Sequence, residues 1–379
     1  MVVTRPPVAA AIEVDGLRPG AVSDPSSPEA LASELAAAAR ERRAVIAVGG
    51  GRALCMGDPP TAFDLALLTT RLDRVVEYRP EDFSVTVQAG FQLEELAALL
   101  RAQGQFVTLD PPGGPGHTVG GILASGLAGL LRLRQGTLSD QLLGLTVALP
   151  DGSLAKSGSR VLKSVAGYDL HKLHVGALGC LGVIVEVSLR TWTLPACEAA
   201  FEVDAGTAAV ASAMAARALA IRPAPEEVVV VGGRGIAWSV RARFAGPVTA
   251  VESAAGRLGW QPSSRGSWDC LDMGRAPVCA IVTAPPQQLL GLLAPFDPEG
   301  LLASPALGAA YVLCAPDASA LTQLRRAAEA AGGALALFSA PLEIKRAVGT
   351  WGRPTASQPL LRRIREVFDP ERTLSPGRN

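Results

Sequence analysis

Histidine is scarce in this chain: three of the 379 residues are histidines, and all three lie between positions 117 and 174. The six cysteines form no CxxC pair and have no histidine at the spacing of metal ligands, so we expect no iron–sulfur or zinc site. No run approaches the roughly 18 apolar residues that cross a bilayer, and the first residues lack the basic and apolar regions of a secretory signal. The sequence therefore predicts a cytoplasmic protein without a metal site.

An excess of charge of either sign is also lacking. Lysine plus arginine and aspartate plus glutamate balance at 35 each, which excludes the overall positive field typical of nucleic-acid or anionic-membrane binding. With 49% apolar and 18% charged residues, the composition is that of a globular protein, and the length allows two domains. The many alanines and leucines are compatible with surface buried against partner subunits, or with the amino-acid bias of the genome.

Glycine is abundant and clustered. Gly49–Gly51 follow an apolar strand at 44–48, and Gly120 and Gly121 open a second cluster. Each cluster is either a tight turn or a place where bare backbone N–H groups hold the phosphates of a dinucleotide. The GxGxxG-to-helix pattern of the Rossmann fold is missing, so we expect a different nucleotide fold.

Periodicity divides the chain into three parts. Residues 1–195 combine a helix at 27–43 that Ser27 caps with strands and glycine loops, which indicates an α+β nucleotide-binding domain. From 196 to 340 the glycine loops stop, and two successive sets of strands and helices predict a ferredoxin-like α+β cap domain. The tail from 341 to 379 ends in a helix that we expect to pack back on the first domain.

The residue order matches a known family. The matching segments are Val48 to Gly57, Thr118-Val119-Gly120-Gly121, Gly126, Gly129, Arg132, Gly136, Asp140, Gly144, Asp151-Gly152, Lys163, Ala166-Gly167-Tyr168-Asp169-Leu170, Gly179-Cys180-Leu181-Gly182-Val183, Phe368-Asp369-Pro370 and Ser375-Pro376-Gly377-Arg378. In these segments the chain resembles the FAD-binding domain of the vanillyl-alcohol oxidase and p-cresol methylhydroxylase (PCMH) superfamily, above all the FAD-binding subunit of bacterial glycolate oxidases. The resemblance implies a PCMH-type FAD-binding domain of two α+β subdomains with a cap.

The resemblance also implies which residues bind FAD. The two glycine clusters would hold the pyrophosphate, Thr118 would donate to the phosphates or the flavin, and the last segment would offer its backbone to adenine. Arg132 and Asp140 would contact the ribose or the ring edge, although Arg132 could equally be solvated or ion-paired. The full set is Gly49, Gly50, Gly51, Arg52, Ala53, Gly57, Thr118, Gly120, Gly121, Ala124, Ser125, Arg132, Asp140, Gly182 and Val183.

The positions of the histidines bear on how the flavin is bound and on which residues are catalytic. In this superfamily a histidine of the first glycine loop can tether the flavin, but none occurs between Val48 and Gly57, so we expect noncovalent FAD. No histidine lies in the cap, where similar 2-hydroxy-acid dehydrogenases place their metal ligands and base, so the catalytic residues stay unassigned. His117 is either a flavin-side donor or a loop residue. Tyr168 or Lys163 could flank the flavin, or Tyr168 could be a core ring with one hydrogen bond, whereas Asp169 is expected to cap a helix.

These features predict an FAD-binding subunit of a glycolate oxidase-type complex, which oxidises a small 2-hydroxy acid such as glycolate, or lactate, to a 2-oxo acid. The implied partners are a second, catalytic FAD-binding subunit and an iron–sulfur subunit, through which the chain could associate with a membrane. The alternatives are a stand-alone flavin-dependent oxidase or dehydrogenase of another alcohol, an NADPH-dependent enol reductase of the same fold, and a nonredox assembly subunit with structural FAD.

Overall fold

The computed structural model describes residues 12–160, 168–354 and 356–378. Of the resemblance motifs, Lys163, Ala166 and Gly167 lie outside these residues. The chain divides into two compact units. The described parts of 1–129, 136–194 and 354–379 form the first unit, and those of 130–135 and 195–353 form the second.

Both units contain α-helices and β-strands within the described residues. The helices are α1 Pro28–Arg40, α2 Leu93–Arg101, α3 Val119–Ser125, α4 Arg132–Gln135, α5 Leu138–Gln141, α6 Ala208–Leu219, α7 Val248–Leu258, α8 Leu289–Leu293, α9 Ala318–Ala330, α10 Leu342–Val348 and α11 Gln358–Phe368. The strands are β1 Ala21–Ser23, β2 Val45–Val48, β3 Leu65–Leu68, β4 Val75–Arg79, β5 Ser84–Gln88, β6 Gln105–Phe106, β7 Leu142–Ala148, β8 Leu154–Gly158, β9 Val183–Arg190, β10 Trp192–Thr193, β11 Cys197–Asp204, β12 Glu227–Gly233, β13 Ile236–Gly246, β14 Gln261–Ser263, β15 Val278–Thr283, β16 Gly300–Ser304, β17 Ala309–Cys314 and β18 Ala334–Ser339.

Two main sheets build the first unit. A parallel sheet has the order β1-β3-β2, and an antiparallel sheet has the order β4-β5-β9-β7-β8. The helix predicted at 27–43 is confirmed as α1, and the Ser27 side chain caps it by accepting a hydrogen bond from Ala30 N at 3.1 Å. Leu31 and Leu35 of α1 are fully buried against Val45 of the parallel sheet, so the helical spacing of these leucines does place them in the core.

An eight-stranded antiparallel sheet forms the second unit, in the order β14-β11-β13-β12-β16-β17-β15-β18. Its first half runs β11-α6-β12-β13-α7-β14 and its second half β15-α8-β16-β17-α9-β18. Each half is a β-α-β-β-α-β ferredoxin-like unit, and the two halves join where β12 pairs with β16. The predicted ferredoxin-like α+β architecture is confirmed, as a tandem pair within one sheet. The short strands β14 and β16 are not evident from sequence.

The expected tail at 341–379 does not group with the first unit as a whole. Residues 341–353 belong to the second unit, because α10 packs on α9 and Leu337 N donates to Thr350 O at 2.8 Å. Only the part from 354 onward groups with the first unit. There Leu374 pairs with Val45 in parallel, and Ser375 N donates to Val45 O at 2.8 Å. The helices of the described residues include none that is long and apolar enough to span a membrane.

Candidate functional site

The first unit contains an open cleft, whose empty volume of about 830 Å³ includes open solvent. All but three of the predicted FAD-binding residues line it. These are Gly49, Gly50, Gly51, Arg52, Ala53, Thr118, Gly120, Gly121, Ala124, Ser125, Gly182 and Val183. Segments that lie more than a hundred residues apart in the sequence therefore share one cavity.

The two glycine clusters touch each other at the wall of this cleft. A Cβ atom built on Gly49 would lie 2.3 Å from the Thr118 hydroxyl oxygen, and one on Gly50 would lie 1.9 Å from Gly116 O. Gly50 N donates to Thr118 Oγ1 at 3.3 Å. Glycine is required at 49 and 50 because the loops interlock, since any side chain there would push them apart.

Gly51 has a different role from its neighbours. Its φ of +74° is a conformation that favours glycine, and a Cβ atom built on it meets only Leu54 Cδ1, at 3.9 Å. Within the part of the chain that the structure describes, the N–H groups of Gly49 and Gly51 donate no hydrogen bond. Bare backbone with free donors therefore faces the cleft at this loop.

The second cluster lies in the first turn of α3, so it is neither a tight turn between strands, which was one of the two alternatives, nor a loop. Thr118 caps the helix, and its hydroxyl oxygen accepts from Gly121 N at 3.3 Å as well as from Gly50 N. Gly120 packs against the protein, because a Cβ atom there would lie 2.6 Å from Ala89 Cβ. Gly121 is half-buried and leaves the backbone bare on the cleft side.

Ser125 lines the cleft with its hydroxyl already in use. Its Oγ donates to Gly121 O at 2.8 Å, within α3. Its neighbour Ala124 offers only a methyl group. Both residues therefore shape the wall of the cleft, and neither presents a free donor there.

Three predicted residues are absent from the lining. Asp140 is the N3 residue of the capping box of α5, whose N-cap is Thr137. It accepts from Thr137 N at 2.7 Å and from Thr137 Oγ1 at 2.8 Å, and the hydroxyl bond above all holds the pKa of this carboxyl below its usual value. Arg132 lies in α4, within the segment that groups with the second unit. Gly57 faces the C-terminal segment, since a Cβ atom there would lie 2.8 Å from Arg378 O.

The polar block at 168–169 also lies away from the cleft lining. Tyr168 is 88% exposed, and Asp169 pairs with Lys172 at 2.7 Å, which lowers the pKa of the aspartate. The Asp169 side chain makes no capping hydrogen bond to the 3-10 turn that follows it. The expected capping role of Asp169 is therefore replaced by a surface ion pair.

Four polar residues of the lining were not on the predicted list: Thr69, His117, His174 and Arg378. His117 is held in its loop by a hydrogen bond between Nε2 and Pro112 O at 3.0 Å, and burial lowers its pKa. Burial lowers the pKa of His174 further, to about 4. Arg378 is buried, although it lies more than 320 residues from the loop that it contacts. No local sequence pattern marks such a contact.

A comparison with known protein families identifies the domain that contains this cleft. Residues 19–158 match the family described as FAD binding domain. These residues are an FAD binding domain. The cofactor of this FAD domain is accordingly FAD, and residues 182–183 and 378 complete its cleft from outside the matched segment.

Curated relatives match part of the chain. The chain is 43% identical to the mitochondrial D-lactate dehydrogenase [cytochrome] of Arabidopsis thaliana over 33% of its own length and 22% of the relative's. It is 33% identical to glycolate oxidase subunit GlcE of Escherichia coli, over 44% of this chain and 47% of that one. It is 31% identical to glycolate oxidase subunit GlcD of Bacillus subtilis, over 45% and 37%. The chain thus spans less than half the length of the curated relatives it matches.

A solved structure matches more of the chain. The alkyldihydroxyacetonephosphate synthase structure superposes with a TM-score of 0.67 at 16% identity, covering 94% of this chain and 76% of that one. This likeness shows that the fold of both units, the FAD domain included, is one already known. The predicted PCMH-type FAD-binding fold is confirmed.

The cleft of the FAD domain fits the cofactor. Free N–H groups at Gly49 and Gly51 and the bare backbone at Gly121 suit a diphosphate, which needs hydrogen-bond donors and close approach. Arg52 adds an exposed positive charge to the lining. We therefore expect these residues to hold the phosphates.

We expect the flavin to be bound without a covalent bond, because the loop from Val48 to Gly57 contains no histidine. Acid precipitation of the purified protein should release the yellow colour into the supernatant. A protein with covalently bound flavin, treated in parallel, serves as the control. Flavin that stays in the pellet contradicts the prediction, and peptide mapping at His117 and His174 would then locate the bond.

Proposed function

We propose that this chain is the FAD-binding subunit of a glycolate oxidase-type complex that oxidises a small 2-hydroxy acid, glycolate or lactate, to the 2-oxo acid. The main observation in support of this proposal is the cleft of the FAD domain, with bare glycine backbone at 51 and 121. Support for the substrate class comes from relatives named as glycolate oxidase subunits and D-lactate dehydrogenases. Oxidation removes two electrons and two protons from the carbon and hydroxyl of the substrate.

Bound FAD supplies the two-electron acceptor for this reaction. The chain's own residues bind and orient it: the Gly49 and Gly51 N–H groups donate, Arg52 contributes charge, and the walls at Ala124 and Val183 exclude water. His117 and His174 stay neutral in this wall, because burial lowers the pKa of each.

The proton of the substrate hydroxyl needs a base, and a 2-hydroxy acid also needs a cation for its carboxylate. No histidine occurs after position 174. Tyr311 is the buried phenol of the second unit, and its ring packs edge-to-face on Trp268 with the centroids 5.0 Å apart. An Asp, Glu or Tyr base of the second unit, where Tyr311 and several carboxylates lie, is the alternative to a base from a partner. We infer that a partner subunit supplies the base.

The FAD-loaded chain alone should therefore be reduced by glycolate or lactate slowly or not at all. Anaerobic mixing with excess substrate, followed by flavin absorbance, measures this. Dithionite serves as a control that the flavin can be reduced. Addition of the subunits that co-purify with the tagged chain from its native host should then bleach the flavin.

Bleaching of the isolated chain within seconds would contradict the subunit proposal and identify a self-sufficient dehydrogenase. A chain that stays yellow with every partner fraction would instead favour an assembly subunit with structural FAD. The same purification tests the proposed partners, a second FAD-binding catalytic subunit and an iron–sulfur subunit, and the proposed location in the cytoplasm or at a membrane through those partners.

A further inference from the structure

A buried arginine from the C-terminal segment forms part of the FAD cleft. Arg378 is 3% exposed and lines the same cavity as the two glycine clusters. Its Nη2 donates to Leu54 O at 2.8 Å and also to Met56 O. The guanidinium is therefore fixed to the loop that follows Gly51.

Among the described residues this guanidinium forms no close ion pair, and the carboxylate whose charge acts on it is that of Asp15, which favours its protonated form. Arg378 forms no ion pair with a carboxylate of residues 12–160, 168–354 or 356–378, and its Nε is buried without a hydrogen-bond partner there. Two carbonyl oxygens supply dipoles but no counter-charge. Burial accordingly lowers the pKa of Arg378. A guanidinium remains charged near neutral pH, so a buried one is unfavourable until an anion approaches it.

The backbone around Arg378 holds this arrangement in place. Asp58 N donates to Arg378 O at 3.2 Å, and Thr61 N donates to Pro376 O at 3.0 Å. A Cβ atom on Gly377 would lie 2.9 Å from Thr61 N, so the segment and the loop are in close contact. The C-terminal segment thus presents its arginine at one fixed place in the cleft wall.

We propose that Arg378 binds the anionic diphosphate of the dinucleotide, together with the bare backbone of the glycine loops. The proposal rests on the proposed function, since it takes the cleft to be the FAD site. Arg52 and Arg378 differ in what they offer: Arg52 is exposed and screened by water, whereas Arg378 is desolvated and interacts more strongly with a nearby anion. The buried arginine is therefore the stronger anchor.

The test compares ligands with and without the diphosphate on the full chain freed of flavin. Affinities for FAD, ADP and adenosine are measured for the wild type, for Arg378→Met and for Arg372→Met. Arg372 is an exposed arginine of the same segment and serves as the matched control. For Arg378→Met we expect FAD and ADP affinities to fall by about tenfold or more, and adenosine affinity to stay within about twofold.

A purely structural role would lower ADP and adenosine affinities by the same factor, and that result overturns the proposal, as does unchanged ADP affinity. If Arg378→Met does not fold, Arg378→Gln is measured with the same two outcomes, because its amide can still donate to Leu54 O and Met56 O. A wild type that binds no FAD contradicts the proposed function instead. The two failures are thus distinguishable.

Discussion

Gly121→Asp is expected to yield a folded protein that purifies without FAD. Gly121 lies in the first turn of α3, where an aspartate is compatible with a helix, so the backbone need not unfold. The new carboxylate would face the phosphates, and like unit charges about 4 Å apart repel by about 4 kcal/mol near a protein surface. Occupancy should fall below about a tenth of the wild-type value.

The flavin-to-protein absorbance ratio measures this effect, and circular dichroism monitors the fold. Gly121→Ala separates bulk from charge: its Cβ atom would lie 2.9 Å from Thr118 Oγ1, so we expect a smaller loss. Gly291→Asp adds the same charge where nothing lies within 4 Å of the new Cβ atom. Full occupancy in a folded Gly121→Asp variant would show that the phosphates lie elsewhere.

The second large effect concerns acid stability. Burial lowers the pKa of His174 from 6.5 to about 4. The unfolded chain therefore binds a proton at this residue between these two values, and the folded chain does not. Stability from the neutral imidazole is fully present above about pH 6.5 and is lost as the pH falls toward 4. The loss amounts to about 2 kcal/mol between about pH 7 and about pH 5.

Urea unfolding of the flavin-free protein at the two pH values measures this loss. His174→Gln removes the titrating group while keeping a polar side chain of similar size. Between the two pH values, the free energy of unfolding of the wild type should fall by about 2 kcal/mol more than that of the variant. Parallel loss of stability in both proteins would show that His174 is protonated as easily in the fold as outside it.

Local patterns in the sequence predict much of this fold. Ser27 marks the start of α1, and the alternation of Val183, Val185 and Val187 marks β9. In the second unit, strands and helices recur in two similar sets because each ferredoxin-like half has its own hydrophobic periodicity. These features depend on residues close together in the sequence, so one sequence suffices to predict them.

Other parts of the site depend on tertiary contacts. The helix α3 was missed because its glycines suggest a loop, and only the Thr118 hydroxyl, which accepts from Gly121 and Gly50, shows what holds it. Asp140 was placed at the cofactor by resemblance, yet Thr137 three residues earlier forms a capping box that the sequence also carries. Arg378 could not be placed, because its partners are carbonyl oxygens that carry no side-chain signature.

The cleft draws on residues from both ends of the described chain, with the whole second unit encoded between them. During synthesis the loop at 49–57 leaves the ribosome long before Arg378 does. A nascent chain can thus fold much of the first unit while its cofactor site still lacks one wall. Cofactor loading is therefore expected to be completed only after the segment that carries Arg378 has been synthesised.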